Sequence, residues 1–313
     1  MTTGTRHLIS LDDLSAPALA DIVGRGAELA RRAANGAGVE GPSLAGKVVG
    51  VYFRKTSTRT RIAFSSGALR LGAGIIGYGP NDLQLETGES TEDTGRVFST
   101  MLDVLVARTA GDPAEMRAWA GQSRMAVVNA MSAEEHPTQA LADLTTLTLQ
   151  FGSVDGVRMV YVGEGNNTAV ALALGLARFR DVKLELRTPA GYGVPSAVLE
   201  HARATAAGGT VIDERHDLDD LPQDVDVVYT TRWQTTGSSK PDPDWRRVFA
   251  PFQVTAELMD ARPKAVFMHD LPAHRGEEVT GAVLDGQASI AFGQAENKLH
   301  SAMAVLEWCT GAY

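Results

Sequence analysis

Apolar positions in residues 8–34 recur at helical spacing. Leu19, Ile22, Val23, Ala27 and Ala30 fall on one face, and Ser15 stands where it would cap the helix. The period then changes. Residues 47–53 (KVVGVYF) are a β-branched and aromatic run that predicts a buried strand, followed by a loop and helix over 56–70. Strand-like runs at Gly74–Tyr78, Val104–Arg108 and Ala126–Asn129 are separated by helical patterns. After a helix over Pro137–Phe151 a second series begins, with strands predicted at Arg158–Val162, Lys183–Arg187, 210–212, 225–230 and 265–269. Helices are predicted at 167–179 and 196–207, and a final one at 296–308.

Strands alternating with helices predict parallel sheets. The expected fold is α/β: two doubly wound parallel-sheet domains joined by a rigid helix, with an active-site cleft between them. The first domain is expected over residues 1–138, with the C-terminal helix at 294–313 packing back on it, and the second over 139–293. A single large doubly wound sheet is the alternative for a chain of 313 residues. No internal repeat, low-complexity tract or long linker interrupts the pattern.

Composition narrows the function. Hydrophobic residues at 44 % and charged residues at 21 % exclude disorder as the main state. A net charge of −9 argues against nucleic acid as a partner, which needs many cations against phosphate. Cys309 is the only cysteine, so neither an internal disulfide nor a Cys-rich zinc site is expected. The first residues lack the apolar segment of a signal peptide, and no run approaches the ~20 apolar residues of a membrane span. A cytoplasmic protein with no membrane partner is expected.

Charge is nevertheless segregated. Between Gly41 and Asn81 there is no Asp or Glu, while Lys47, Arg54, Lys55, Arg59, Arg61 and Arg70 all fall there. A basic surface face would account for this, but the motif inside the window points to a small anion. Ser57-Thr58-Arg59-Thr60-Arg61 follows a predicted strand and opens a helix. Helix N-termini present unpaired N–H groups and partial positive charge, which suits phosphate. Ser57 alone reads as an N-cap. Five consecutive polar donors exceed what capping needs.

The stretch FRKTSTRTR resembles the carbamoyl-phosphate motif of the aspartate/ornithine carbamoyltransferase superfamily. The resemblance continues, in the family's order, through Gln84, Gly88-Glu89-Ser90, Asp93-Thr94, Val106-Ala107-Arg108-Thr109, His136-Pro137-Thr138-Gln139, the segment 163–167, His269-Asp270-Leu271-Pro272 and 294–300. It is nearest the ornithine branch.

It implies that Ser57, Thr58, Arg59 and Thr60 hold phosphate. Arg108 and His136, with Thr60, would sit at the carbonyl oxygen. Gln139 and the backbone carbonyl of Leu271 would accept from the carbamoyl NH₂. Gln84 resembles a residue that reaches a neighbouring subunit's site, which implies a homotrimer with shared sites. Lys298 stands where the ornithine branch usually has arginine, so the bidentate fork is lost there. No metal or organic cofactor is implied, because the leaving phosphate can accept the amine's proton.

The acceptor side departs from the family pattern. In an alignment on Trp233 and Gly237, the aspartate of the ornithine enzymes' Asp-x-x-x-Ser-Met-Gly segment becomes Thr231, and Ser-Met becomes Thr235-Thr236. Arg232 with Gln234 resembles the Thr-Arg-x-Gln of aspartate carbamoyltransferases. Asp270 replaces the cysteine of the ornithine branch, where it would orient a cationic acceptor or act as general base. Asn167 is the asparagine of its segment expected to contact the acceptor.

The expected activity is therefore carbamoyl transfer from carbamoyl phosphate to an amine other than plain ornithine, such as a 2,3-diaminopropionate-like or specialised-metabolite amine. The alternatives are a genuine ornithine carbamoyltransferase of arginine biosynthesis and a catalytically silent carbamoyl-phosphate-binding relative. A dinucleotide-binding dehydrogenase, suggested by Gly163-Glu164-Gly165, lacks the third glycine and the acidic residue ending the next strand.

Overall fold

A computed structural model describes residues 5–38, 41–122, 124–235 and 239–313. It contains strands β1 (Val48–Phe53), β2 (Gly74–Tyr78), β3 (Val104–Arg108), β4 (Ala126–Asn129), β5 (Arg158–Val162), β6 (Lys183–Arg187), β7 (Val211–Arg215), β8 (Val227–Thr230) and β9 (Val266–His269). The helices are α1 (Ala16–Ala34), α2 (Arg59–Arg70), α3 (Thr91–Met101), α4 (Ala114–Ala120), α5 (Pro137–Phe151), α6 (Asn167–Leu176), α7 (Ser196–Ala204), α8 (Trp245–Phe249), α9 (Ala256–Asp260), α10 (Gly281–Leu284) and α11 (Ala291–Thr310).

The chain divides into two compact units. One comprises residues up to Thr145 together with Asn297–Tyr313, and the other runs Thr146–Glu296. The division falls inside α5 and inside α11.

The first unit holds a four-stranded parallel sheet in the order β2-β1-β3-β4. Its inner strands β1 and β3 are almost wholly buried, which is why they read as continuous apolar runs. The order reverses between β1 and β3. At such a switch point the loops leaving the two strands diverge and open a crevice at the carboxyl ends. Register pairs Phe53 with Arg108 there. The C-terminal stretch belongs to this unit through Glu307, whose buried carboxylate accepts from Arg25 Nε at 2.7 Å and from Ser43 Oγ at 2.8 Å.

The second unit holds a five-stranded parallel sheet, β7-β6-β5-β8-β9, which reverses between β5 and β8. Val162 pairs with Thr230, and Thr230 with His269, so three strand ends meet at one edge. The single-sheet alternative is thereby excluded: the described residues form two separate parallel sheets.

Several elements differ in extent from their sequence pattern: α6 ends at Leu176 and α7 at Ala204, each three residues early, and β8 starts at Val227. Strand β7 continues to Arg215 through Asp213 and Glu214, because an edge strand can turn charged side chains to water. Helix α11 starts at Ala291, ahead of the 296 expected, and carries the exposed Gly293 in its first turn.

Candidate functional site

The donor-side residues converge at the switch point of the first sheet. Chain leaving β1 at Phe53 reaches α2, whose N-cap is Thr58. No side-chain capping bond is made there, so the cap hydroxyl is not used in closing the helix. The first intrahelical donor is Ile62 N–H to Thr58 O, which leaves the N–H groups of Arg59, Thr60 and Arg61 without helical acceptors. Ser57 and Arg59 are half-buried, Thr58 is exposed, and Thr60 is buried.

Arg108, the last residue of β3, and His136, just before α5, are both buried. Arg108 Nη1 stands 3.4 Å from His136 Nε2, while His136 Nδ1 stands 3.3 Å from Thr138 Oγ1. A guanidinium can only donate, so Nε2 is the acceptor and Nδ1 carries the proton towards Thr138. Burial, with the Arg108 and Lys298 charges adding to it, holds His136 well below its ordinary range. The imidazole is neutral.

Gln139 on α5 and Lys298 on α11 are buried beside it and bond directly, Lys298 Nζ donating to Gln139 Oε1. Gln139 Nε2 donates to buried Asp143 Oδ1 at 2.8 Å. Thr60, His136, Gln139 and Lys298 line one recess with Phe64 and Ser301. The acid-free window is divided by the fold. Lys47 pairs with Asp103, Arg54 is held by both oxygens of Glu115, and Arg61 stacks on Phe53; the cation lining the recess is Lys298, from outside the window. Gln84 lies exposed in the turn Gln84–Thr87, where its Oε1 accepts from Thr87 Oγ1.

The acceptor-side residues gather at the switch point of the second sheet. The chain leaving β5 crosses Gly165, where a Cβ would lie 2.1 Å from Val194 N and 2.2 Å from the Gly193 carbonyl carbon. Only glycine fits this approach. Asn166 is the N-cap of α6: its Oδ1 accepts from the N–H groups of Thr168 and Ala169 at 3.0 and 3.2 Å. Asn167 is the first helical residue and is buried.

Thr231 is buried, and its hydroxyl is occupied by Tyr161 Oη at 2.8 Å and Asn166 Nδ2 at 3.0 Å. It braces the segment from within. Arg232 is half-buried, and its enclosed Nε has no hydrogen-bond partner among the described residues. Gln234 and Thr235 are half-buried, Thr235 Oγ1 lying 3.4 Å from Glu164 Oε2. Thr236 lies outside the described residues.

Asp270 follows β9. Its Oδ2 accepts from Thr168 Oγ1 at 3.2 Å, and its Oδ1 is 3.4 Å from His269 Nδ1. That second approach is not an ion pair. His269 Nδ1 accepts the Leu271 N–H at 2.8 Å, and the ring's proton sits on Nε2, 3.2 Å from Glu278 Oε1. Leu271 adopts φ +48°, a left-handed conformation that costs a branched residue on the order of 1–3 kcal/mol and is typical of functional segments.

Two parallel-sheet units, each with its polar residues at a switch point, match known proteins along nearly the whole chain. Residues 6–148 match the aspartate/ornithine carbamoyltransferase carbamoyl-P binding domain, and 155–309 match the Asp/Orn binding domain. The chain belongs to the aspartate/ornithine carbamoyltransferase family. It is 40 % identical over 307 residues, 96 % of each chain, to an ornithine carbamoyltransferase of Symbiobacterium thermophilum. The structure of ornithine carbamoyltransferase from Pyrococcus furiosus superposes with a TM-score of 0.90 at 35 % identity, covering 98 % of both chains. The catalytic subunit of aspartate transcarbamoylase from M. jannaschii superposes with a TM-score of 0.82 at 29 % identity, covering 96 % of both. The protein is a carbamoyltransferase that uses carbamoyl phosphate, and the dehydrogenase alternative is set aside.

Several residues of this carbamoyltransferase escape pattern reading. Asp143 sits inside an apolar helix face, and nothing in its neighbours marks the bond to Gln139. Tyr161 looks like a strand core residue until Thr231 is brought to it. Asn166 differs from Asn167 only in helix position, which the doublet conceals. Among the described residues no helix is long and apolar enough to cross a membrane.

Proposed function

We propose that the enzyme joins the carbamoyl group to a primary amine of a small amino acid, giving a ureido product and phosphate. The acceptor nitrogen attacks the carbonyl carbon, the bond from carbon to the phosphate oxygen breaks, and the departing phosphate takes the nitrogen's proton. The observation that carries this reading is the meeting, at one sheet edge, of an uncapped Ser/Thr/Arg helix start with the buried Arg108–His136 pair.

Ser57, Thr58, Arg59 and Thr60 hold the phosphate in this reading, and Lys298 adds charge. Arg108 donates to the carbonyl oxygen as negative charge grows on it, and Thr60 and His136 complete that environment. Preorganised donors of this kind are worth about 2.7–4 kcal/mol each. His136 Nε2 faces Arg108 without substrate, so it orients the guanidinium; with substrate bound, the other tautomer lets it donate. The carbamoyl NH₂ meets Gln139. Gln139 Oε1 accepts from Lys298 here, so that bond is shared or exchanged on binding.

Ornithine is the acceptor that the names of the relatives support. A second reading rests on Asp270 and Thr231. Position 231 offers an occupied hydroxyl where the ornithine branch has a carboxylate, and a carboxylate stands at 270 where that branch has cysteine, half-buried and bonded to Thr168. These favour a shorter or differently read diamino acid, such as a 2,3-diaminopropionate-like amine, with Arg232, Gln234 and Thr235 on its carboxylate and Asn167 on its backbone. Steady-state phosphate release with ornithine, aspartate, putrescine, lysine and 2,3-diaminopropionate tests both. Turnover of ornithine alone eliminates the second reading; preference for a shorter diamine eliminates the first; turnover of none eliminates the proposal.

The exposed Gln84 turn suits the homotrimer with shared sites that the resemblance implies, in a cytoplasmic setting. Sedimentation equilibrium at the mass of one chain would refute the trimer.

A further inference from the structure

Lysine is rarely buried, yet the Lys240 side chain is only 3 % exposed. Its Nζ lies 4.8 Å from the ring centre of Tyr192, 5.3 Å from Trp245 and 4.7 Å from Phe249. The same ammonium pairs with the carboxylate of Glu164. These rings also support one another: Phe249 meets Tyr192 at 4.8 Å and Trp245 at 5.4 Å, both edge-on, with Trp233 at 5.7 Å. Three π faces and a carboxylate around one ammonium are the components of a cation-recognition box.

Stability alone does not call for this arrangement. An apolar side chain would fill a ring-lined space without the desolvation cost of two charges. The box also has a functional address. Glu164 leaves β5 two residues before the N-cap Asn166, and its Oε2 is within 3.4 Å of Thr235 on the segment leaving β8. It therefore adjoins the acceptor-side switch point.

We propose that Glu164, Tyr192, Trp245 and Phe249 form a binding site for a primary alkylammonium, which Lys240 fills as a tethered ligand of the same chain. The external ligand is the ammonium of a diamino acid, and this extension rests on the acceptor reading above. A carboxylate and π faces favour the protonated form, so an amine held here stays charged and cannot be the attacking nitrogen. The box recognises the amino group that does not react. Lys240 competes with it and thereby sets which acceptors are admitted.

The test is the full-length K240A protein titrated with n-butylammonium chloride at constant ionic strength, read by tryptophan fluorescence, with n-butanol as control. K240A is expected to show a saturable change at least about tenfold tighter than the parent protein shows, absent with butanol and lost in K240A/E164Q. If K240A is unfolded alone, butylammonium is expected to restore its folded signal and raise its Tm, because a ligand that binds only the folded state stabilises it. Neither binding nor rescue in K240A overturns the proposal and makes Lys240 a structural cross-link. The readout needs no turnover. A box that binds butylammonium in a protein that carbamoylates no diamine retains the site and removes only its assignment to the acceptor.

Discussion

Arg108 Nη1 and His136 Nε2, both buried, lie 3.4 Å apart, one group permanently charged and the other held neutral by burial and by that charge. Histidine here is no proton shuttle near neutral pH. It is a dipole that fixes a cation.

His136 stays unprotonated in the folded state well below pH 6.5, whereas the unfolded chain takes up a proton as pH falls through 6.5. Folded stability is therefore lost on acidification below that point. The H136Q variant lacks this dependence, so urea melts at pH 5 and 7.5 should show its stability falling less than the parent's. Its kcat is expected to drop about 10²–10³-fold, the usual consequence of losing one polar contributor at a developing oxyanion. No inflection near pH 6.5 in the parent's kcat/KM is expected from this residue.

Glu135, next in sequence, behaves oppositely. It is buried and accepts the Leu11 N–H at 2.8 Å, and burial, reinforced by Asp12 and Asp13, pushes its carboxyl up to about 7. Between the ordinary 4.5 and 7 the folded state holds a proton that the unfolded chain releases, so this stabilisation disappears as pH rises through 7. The loss amounts to about 3 kcal/mol. E135Q is neutral throughout and keeps an acceptor for Leu11. The difference in unfolding free energy, E135Q minus parent, should grow from pH 5 to pH 8, and a constant difference would disprove the assignment.

Gly165 has no room for a methyl group against the backbone at 193–194. G165A must displace the segment carrying Glu164, Asn166 and Asn167. The acceptor KM is expected to rise at least tenfold while the KM for carbamoyl phosphate stays within about twofold, since the donor residues lie on the other sheet. An equal rise in both would contradict a separate acceptor role for this edge.

Asp270 Oδ2 accepts from Thr168 Oγ1 at 3.2 Å at the carboxyl end of β9. A charged hydrogen bond is worth about 1.5–3 kcal/mol. D270N should therefore raise the acceptor KM roughly 10–100-fold if the carboxylate orients the acceptor. If it is a general base, kcat falls and its pH profile loses the acidic limb, with KM little changed.

Local pattern carried most of the fold because the inner strands of both sheets are buried on two faces and read as unbroken apolar runs. It weakened where burial did, as at the charged end of β7. The donor site was legible for a related reason: Ser57 to Arg61, and His136 to Gln139, are each contiguous. The Lys298–Gln139–Asp143 relay and the Tyr161–Thr231–Asn166 brace join residues far apart in the chain, so their partners are hidden until the strands are laid in register. The acid-free window misled in part, because Asp103 and Glu115 arrive from elsewhere to neutralise Lys47 and Arg54.

The most direct test is ¹³C NMR of the enzyme with [¹³C]carbamoyl phosphate and ornithine or 2,3-diaminopropionate. The carbonyl signal should move to a ureido shift, one equivalent of phosphate should appear per ureido group formed, and R108Q should slow both about 10²–10³-fold together. Phosphate release with label appearing only as bicarbonate, or no consumption with any amino acid, would contradict carbamoyl transfer to an amine.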